Sequence, residues 1–216
     1  YRPRTAVLNN LEFDHADIFE SLHDIQLQFH HLVRTIADDG LIIHPQSDNN
    51  ITDTLTGKFD RRYSAGKKYV WSPVQTTGAG GQWQVELDAA DGSVFTVANT
   101  QRDQRGECEG GFEVRWQQSG LHNVANALAA ACLTLSVGAS MADVSQGLGA
   151  MRPANGRVNL IKVTDQLIVI DDTYNANVSS AKAAIDLLSE SAGNTILVFG
   201  DMGELGQDAR RYHEEV

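Results

Sequence analysis

A strand–helix–strand pattern near the start of the chain restricts the choice of fold more than any other part of the sequence. Residues 5–10 (TAVLNN) and 41–45 (LIIHP) are short apolar runs typical of buried strands. Between them, residues 17–36 carry apolar side chains at helical spacing: Ile18, Leu22, Ile25, Phe29, Leu32, Val33 and Ile36. This β-α-β unit predicts an open α/β sheet, in which ligands bind beside the carboxyl ends of the strands.

Residues 57–118 have a different texture, with short alternating segments typical of antiparallel strands. The segments are KKYVWSP at 67–73, QWQVELDAADGSVFTVAN at 82–99 and GFEVRWQQSG at 111–120. We predict a small antiparallel β insertion here, with the AADGS sequence at 89–93 as a turn. Residues 122–138 then predict a helix rich in Ala and Leu, and Ser140 is a suitable N-cap for the next helix.

The segment RPANGR at 152–157 is typical of a domain boundary, because Pro, Gly and Asn interrupt regular structure. A strand, a helix and a second strand are predicted beyond it: QLIVIDD at 166–172, SSAKAAIDLLSES at 179–191 and NTILVFGD at 194–201. This is a second β-α-β unit, of the kind found in Rossmann-like domains. We therefore divide the chain into two domains, residues 1–156 and residues 157–216.

The charge and cysteine content exclude several classes of protein. With 17 Lys and Arg against 28 Asp and Glu, the net charge of −11 argues against a nucleic-acid binder, which needs a basic surface. Cys108 and Cys132 offer neither a disulfide framework nor a CxxC metal site, which favours a reducing cytoplasm. No apolar run approaches the roughly 20 residues of a membrane span, so we expect no membrane insertion. The oligomeric state stays open.

The loop after the first strand concentrates groups that can bind a metal. Asn10, Glu12, Asp14 and His15 follow one another at the expected carboxyl end of the strand. A neutral imidazole beside carboxylates could hold Mg²⁺ or Mn²⁺, although Mg²⁺ usually prefers oxygen ligands. The alternative is a polar helix start, in which Asp14 or Asp17 caps the helix.

The segment HNVAN at 122–126 places three polar side chains at the start of an otherwise apolar helix. His122 and Asn126 share a helix face, because they are four residues apart, and Asn123 lies beside them. Amide groups suit the edge of a planar heterocycle. The alternative interpretation is a capped helix that belongs to the core.

Three further segments contain candidate binding residues. Arg157 lies in the predicted linker and could bind a phosphate with its guanidinium fork. The loop after the strand at 166–172 could hold a ribose hydroxyl or a metal-bound phosphate through Asp171, Asp172, Tyr174, Asn175 and Asn177. Ordinary turn chemistry is the alternative for that loop. FGDMGELG at 199–206 is a weaker candidate, since Gly-Asp is frequent in turns.

Taken in chain order, these residues resemble the Mur ligase family, the ATP-dependent amide-bond-forming enzymes of peptidoglycan synthesis. The matching pattern is a strand followed by Asn10 and His15, then HNxxN at 122–126, then Arg157 in a linker, then DDxYNAN at 171–177. This order is far more specific than any motif in it. The resemblance covers nearly the whole chain. It implies the later half of an ATP-binding central domain, followed by the start of a Rossmann-like carboxyl-terminal domain.

Two branches of the family are represented in the chain. Residues 1–34 look like the branch that joins UDP-N-acetylmuramate to the tripeptide L-Ala-γ-D-Glu-meso-diaminopimelate. Residues 156–191 and 197–206 look like the branch that adds D-Ala-D-Ala to the UDP-muramoyl-tripeptide. The two branch-like parts meet near GLHNVANALAAA at 120–131, a sequence shared by both branches. The chain could therefore be a chimera or a natural fragment.

The resemblance also implies a mechanism, two cofactors and a set of roles. In the family, a substrate carboxylate attacks the γ-phosphate of ATP, and an amine then displaces phosphate from the acyl phosphate. Both steps build negative charge, so His15 as a Mg²⁺ ligand and Arg157 are the implied catalytic residues. The implied nucleotide-binding residues are Asn10, His122, Asn123, Asn126, Arg157, Asp171, Asp172, Tyr174, Asn175 and Asn177. The implied partners are a UDP-N-acetylmuramoyl substrate and an incoming amino acid or peptide.

Some elements of the family have no counterpart in this sequence. There is no G-x-x-G-K-[ST] phosphate loop. The first lysine is Lys58, so the carbamylated lysine that many members carry in the helix after the His15 loop is absent. The phosphate loop, the glutamate of the family's first metal site and its UDP-binding amino-terminal domain would precede Tyr1, which is not an initiator methionine. We therefore expect a fragment that is inactive by itself, because the phosphates of ATP could not be positioned.

The residues are also compatible with two other functions. The chain could be a non-catalytic folding unit or an engineered hybrid with a residual nucleotide site. A metallohydrolase that uses His15, His30 and His31 is weaker, because His30 and His31 are adjacent on a predicted helix and cannot both face the loop.

Overall fold

The structure, a computed structural model, describes residues 2–63, 70, 72–101 and 110–216. Cys108 and most of the predicted strand KKYVWSP lie outside these residues. The described chain forms a six-stranded sheet with helices, followed by a smaller unit that contains a two-stranded sheet. The predicted α/β class is therefore confirmed.

The larger sheet is mixed, and its strands lie side by side in chain order. They are β1 (Thr5–Val7), β2 (Leu41–Pro45), β3 (Val74–Thr77), β4 (Trp83–Leu87), β5 (Val94–Asn99) and β6 (Gly111–Arg115). β1, β2 and β3 are parallel, with Ile43 opposite Gln75. β4, β5 and β6 are antiparallel, and one parallel bridge between Thr77 and Trp83 joins β3 to β4. The predicted antiparallel insertion is thus present and continues the parallel sheet.

Four helices accompany this sheet: α1 (Leu22–Val33), α2 (Asn49–Thr56), α3 (Leu121–Ser136) and α4 (Met141–Ala150). Ser140 is the N-cap of α4, as predicted. The Ser140 hydroxyl accepts a hydrogen bond from the Asp143 amide in a capping box. α2 is not among the predicted elements, because its short polar sequence has little apolar periodicity. Asp48 starts α2 by accepting a hydrogen bond from the Ile51 amide. No helix in the described part of the chain is both long and apolar enough to cross a membrane.

The two faces of the sheet bury separate apolar clusters, because successive side chains of a strand point to opposite faces. Ile42 packs with Val33 and Ile36 on the face covered by α1. Its neighbour Ile43 packs in the cluster that contains Phe95 and the α3 helix. The Ala-rich side of α3 brings its backbone close to the strands. The sheet is therefore buried on both faces at β1 and β2, whereas the buried apolar side chains of β4, β5 and β6 belong to the cluster that contains α3.

α1 begins later than predicted, at Leu22 rather than near residue 17. Ile18 is 69% exposed, so the start of the apolar pattern is not part of the helix face. The N-cap residue is Ser21, and neither Asp14 nor Asp17 caps the helix. The cap interpretation of the loop is therefore wrong, and these carboxylates are free for other contacts. The physical reason is that residues 14–17 bond to the smaller unit instead.

The smaller unit contains β7 (Asn159–Thr164), β8 (Leu167–Asp171), α5 (Val178–Ser189) and α6 (Ala209–Glu215). β7 and β8 form an antiparallel hairpin. A small cluster that includes Ala181, Met202 and Leu205 packs between α5 and the loop before α6. The proposed boundary at residue 156 stays a prediction.

The predicted strand at 194–201 is wrong. Residues 194–200 carry no regular secondary structure, and Ile196 and Val198 are 83% and 92% exposed. β8 pairs with β7 across a short turn, whereas a parallel partnership with 194–201 would have to close a longer loop. The apolar run is of the right type for a strand, but in the described chain it has no neighbour to pair with.

Candidate functional site

The loop after β1 is anchored at two points that leave its asparagines exposed. Leu8 and Leu11 are each only 2% exposed, and the Leu8 amide donates to the carbonyl of Ile43. The Leu11 amide donates to the Asp48 carboxylate at 2.9 Å. Asn9 lies between the two anchors and projects from the surface. The loop is therefore rigidly attached to β2 and α2 at its base.

Asn9, rather than the predicted Asn10, joins this loop to α3. The Asn9 side-chain amide donates to Asn126 Oδ1 at 2.7 Å. Asn10 instead donates to the Glu12 carboxylate at 3.1 Å within the loop. The sequence shows two adjacent asparagines, and only the path of the chain after β1 decides which one faces α3.

His15 lies at the far end of the loop and contacts the smaller unit. Its Nδ1 is 2.7 Å from Oε2 of Glu204, and the Ala16 amide donates to the Glu204 carbonyl at 3.0 Å. Donor atoms of His15, Asp17 and Glu204 all lie within 4.8 Å of one another, which is compatible with a divalent cation. Glu204 is absent from the predicted ligands, although it belongs to the weakly scored GELG segment.

The start of α3 carries the predicted HNxxN residues. Gly120 precedes the helix with a φ of 97°, a left-handed conformation that favours glycine. Asn123 donates to the Ser119 carbonyl at 2.7 Å, so its amide closes the first turn of the helix. Asn126 accepts a hydrogen bond from Asn9, and His122 interacts electrostatically with the Asp172 carboxylate. Of the three, Asn123 fits the capped-helix interpretation best.

The linker and the loop after β8 hold each other in place. The guanidinium of Arg157 lies 4.1 Å from the centre of the Tyr174 ring, a cation–π contact. The Val158 amide donates to Asp172 Oδ1 at 3.1 Å, and the Tyr174 amide donates to the Gly156 carbonyl at 3.1 Å. Arg157 is exposed, so the other face of its guanidinium is open to a ligand.

The remaining predicted residues of this loop have separate positions. Asp171 accepts from the Thr173 hydroxyl at 2.7 Å, which is local turn chemistry. Asn177 is the N-cap of α5, and its side chain also donates to Asp14 Oδ2 at 3.2 Å. Asn175 is exposed on the loop. Asp172, Tyr174 and Asn177 therefore contact other predicted segments, whereas Asp171 does not.

A cleft of 380 Å³ lies between the two units. Its lining includes Asp14, His15, Asn177, Lys182 and Glu204. A larger concavity of 530 Å³ lies beside the N-terminal arginines, and none of the predicted site residues line it. The smaller cleft is the candidate site for a ligand of His15 and Asn177, because it brings the first and the last predicted loops together. His122, Asn126, Arg157 and Asp172 do not line it.

The histidines of the metallohydrolase interpretation are not brought together. His30 is fully buried, and its ring centre lies 4.4 Å from that of Tyr63. His31 is on the exposed side of α1. In the described chain, the cluster of possible metal ligands that contains His15 includes neither of them.

The pKa of His122 is expected to make the stability of the chain depend on pH. The residue is exposed at the surface, but neighbouring protein atoms partly desolvate its ring and lower the pKa, and the Asp172 carboxylate opposes this in part. A lowered pKa means that the folded chain favours the neutral ring. Its contribution is present above the unfolded pKa of about 6.5 and is lost as the pH falls below it.

The free energy of unfolding should fall when the pH is lowered from about 7.5 to 5. We expect this fall to be smaller in His122→Gln than in the unmodified chain, as measured by urea denaturation. His30 and His44 also have pKa values lowered by burial, so part of the loss should remain. Replacement of the exposed His31 by Gln is the control. An equal effect of both replacements would contradict the prediction.

Comparisons with known families match both parts of the chain. Residues 1–134 match the Mur ligase middle domain, and residues 156–216 match the Mur ligase, glutamate ligase domain. The UDP-N-acetylmuramate–L-alanyl-γ-D-glutamyl-meso-2,6-diaminoheptandioate ligase of Escherichia coli is 38% identical over 172 residues, covering 80% of this chain and 34% of that protein. The UDP-N-acetylmuramoyl-tripeptide–D-alanyl-D-alanine ligase of Escherichia coli is 33% identical over 221 residues, covering 100% of this chain and 44% of that protein.

A solved structure is similar to nearly the whole of this chain. MurF from Acinetobacter baumannii has a TM-score of 0.79 and 29% identity, and the match covers 99% of this chain and 43% of that one. Relatives of both predicted branches are thus found. The chain spans less than half the length of these relatives.

Proposed function

The chain belongs to the Mur ligase family, and we propose that the protein takes part in ATP-dependent amide-bond formation on a UDP-N-acetylmuramoyl substrate in the cytoplasm. The reaction would pass through an acyl phosphate, with an amino acid or peptide as the incoming group. The relatives differ in this group, since one acts on a tripeptide and another on D-alanyl-D-alanine by their names. Both incoming groups remain candidates for this protein.

One observation supports a single nucleotide site, namely the set of contacts that link four loops distant in sequence. Asn9 bonds to Asn126 across 117 residues, and Asn177 bonds to Asp14 across 163 residues. Arg157 stacks on Tyr174. Loops that share a ligand need this kind of convergence, because each supplies only one or two groups.

The side chains suit the parts of ATP in different ways. Asn126 and His122 on the exposed face of α3 would bind the edge of the base, with Asn123 holding the start of the helix. Arg157 would bind a phosphate by its fork, and Asp172 would accept from a ribose hydroxyl. His15 would hold Mg²⁺ together with nearby carboxylates, and Asn10, Asp171, Tyr174, Asn175 and Asn177 would shape the surrounding loops. When bound, Mg²⁺ would offset the charge that develops on the transferred phosphate.

Nucleotide binding by the chain itself tests the proposal. We expect ATP with Mg²⁺ to bind weakly, and Asn126→Ala to reduce the affinity about fivefold, because one hydrogen bond contributes about 1 kcal/mol. Isothermal titration calorimetry measures the effect. Asn194→Ala, which removes an exposed amide outside the four loops, is the matched control. If both variants bind ATP as the unmodified chain does, the adenine side of the proposal is wrong.

A non-catalytic role for the chain is the second candidate. ADP release in the presence of a UDP-N-acetylmuramoyl substrate and either incoming group separates the two. ADP release would exclude the non-catalytic role, whereas nucleotide binding without ADP release is expected of this segment under both candidates, because it carries no phosphate loop.

A further inference from the structure

Both backbone polar groups of Leu11, in the loop after β1, are held by side chains from the start of α2. The Leu11 amide donates to Asp48 Oδ2 at 2.9 Å, and the Leu11 carbonyl accepts from Asn50 Nδ2 at 2.8 Å. Leu11 is buried, and a buried peptide group that loses its partner costs free energy. We call Asp48 and Asn50 the Leu11 clamp, because together they hold this residue on both sides of its Cα.

The Leu11 clamp is itself fixed to the rest of the larger unit. The other carboxylate oxygen of Asp48 accepts from the Ile51 amide at 2.9 Å, as the N-cap of α2. The Asn50 carbonyl accepts from the Gln26 side chain of α1 at 3.2 Å. Ile51 is fully buried in the same apolar cluster as Leu11. The clamp therefore has little freedom to follow a movement of the loop.

The contact between this loop and α3 lies directly beside the clamp. Asn9 comes two residues before Leu11, and its side chain donates to Asn126 Oδ1 at 2.7 Å. On the other side of Asn9, the Leu8 amide donates to the Ile43 carbonyl at 2.9 Å. The backbone at Asn9 is thus held both before and after it, which fixes the direction in which its side chain leaves the loop.

The bond between Asn9 and Asn126 joins two parts of the larger unit that pack separately. Leu11 and the start of α2 belong to the apolar cluster on the α1 face of the sheet. The α3 helix belongs to the cluster on the opposite face. Asn9 and Asn126 are both exposed, so apolar packing does not set the distance between them. Hydrogen bonds at the base of the loop therefore decide where the loop meets α3.

We propose that Asp48 and Asn50 are positioning residues of the nucleotide site. By holding Leu11, they place Asn9 against Asn126 and so orient the Asn126 amide. The inference rests on the proposed function, in which Asn126 binds the edge of the base, and it adds the residues that set this amide in place. The effect of the clamp on a nucleotide passes through Asn9 and Asn126 rather than through direct contact.

Two conservative variants each remove one bond of the clamp. Asn50→Asp keeps the size of the side chain but cannot donate to the Leu11 carbonyl, and a carboxylate suits the first turn of a helix. Asp48→Asn keeps an oxygen for the Ile51 amide and loses the acceptor of the Leu11 amide. Asn49→Asp is the matched control, because it makes the same change of charge at an exposed residue of the same turn. Unfolding of both clamp variants, seen by circular dichroism, would assign the clamp to stability and overturn the proposal.

The NMR signal of the Asn9 side-chain amide, measured without nucleotide, reports the position of the loop. Asn126→Ala removes the acceptor of this amide and therefore gives the signal of an unbonded Asn9. We expect each folded clamp variant to move the signal at least halfway from its position in the unmodified chain to its position in Asn126→Ala. The control should leave it in place. A signal that does not move in either clamp variant would contradict the proposal, as would an unmodified chain that already shows the unbonded signal.

ATP titration calorimetry separates positioning from a general loss of structure. We expect Asn50→Asp to reduce the affinity by up to about fivefold, the effect expected of Asn126→Ala, and the control to bind as the unmodified chain does. The double variant of Asn50 and Asn126 should bind ATP as Asn126→Ala does, because both changes act on one contact. Multiplied effects in the double variant would exclude the link through Asn126. If the unmodified chain does not bind ATP, the proposed function fails, and the Asn9 signal still decides whether the clamp positions the loop.

Discussion

Replacing Phe95 with alanine is expected to lower the free energy of unfolding by about 3–5 kcal/mol, the range found for large aromatic residues in a core. Phe95 is fully buried on β5, between β4 and β6, and its ring packs edge-on against Trp116 with the ring centres 5.4 Å apart. It also belongs to the cluster that supports α3. The remaining cavity would be bordered by strands on both sides, which cannot move inward easily. Urea denaturation followed by circular dichroism measures the change.

Leu87→Ala is the matched control for this prediction. Leu87 is the cross-strand partner of Phe95 on β4, but its side chain is 42% exposed. We expect a loss below about 1 kcal/mol, because less apolar surface is buried there. If the two replacements cost the same, the cluster around Phe95 would not be the main core of the larger unit.

Replacing Gly156 with valine is expected to cost about 2 kcal/mol or more and to reduce the affinity for ATP. Gly156 has a φ of 69°, and a Cβ there would lie 3.0 Å from the Tyr174 amide nitrogen. A left-handed backbone conformation disfavours a β-branched residue such as valine. The clash with Tyr174 would push the linker away from the loop after β8, to which it is hydrogen-bonded. Arg157 and Asp172 would then lose their relative positions. Urea denaturation and ATP titration calorimetry measure the two effects.

Gly193→Val separates the two causes. Gly193 has a φ of 98°, but nothing lies within 4 Å of the place where its Cβ would be. We expect it to cost stability through the backbone alone and to leave ATP binding unchanged. Loss of ATP binding in Gly193→Val, or its retention in Gly156→Val, would argue that the linker and the loop after β8 need not be held together.

Much of the larger unit could be predicted, because its apolar periodicity is strong. β2 coincides with the predicted strand, α3 differs by one or two residues from the prediction, and Ser140 is the N-cap expected. The apolar spacing predicts too early a start for α1, because Ile18 continues that spacing without being buried. Apolar periodicity indicates which side chains could be buried. The start of a helix depends instead on where the backbone adopts helical dihedral angles, here after Ser21.

The smaller unit was predicted less well. Residues 194–201 have the composition of a strand, yet they are exposed and 194–200 carry no regular secondary structure. β7 was missed, although it pairs with β8 along its length. A strand depends on a partner elsewhere in the chain, and residue type alone does not reveal that partner.

The sequence by itself determined the family, the α/β class and the four segments that carry the polar side chains, because motif order and apolar spacing are properties of the chain alone. Only the tertiary structure decided that Asn9 rather than Asn10 meets Asn126, that Asp171 serves its own turn, and that Glu204 lies against His15. These contacts join residues far apart in the chain. They depend on how the loops leave the strands and how the two units dock, which no local pattern of residues records.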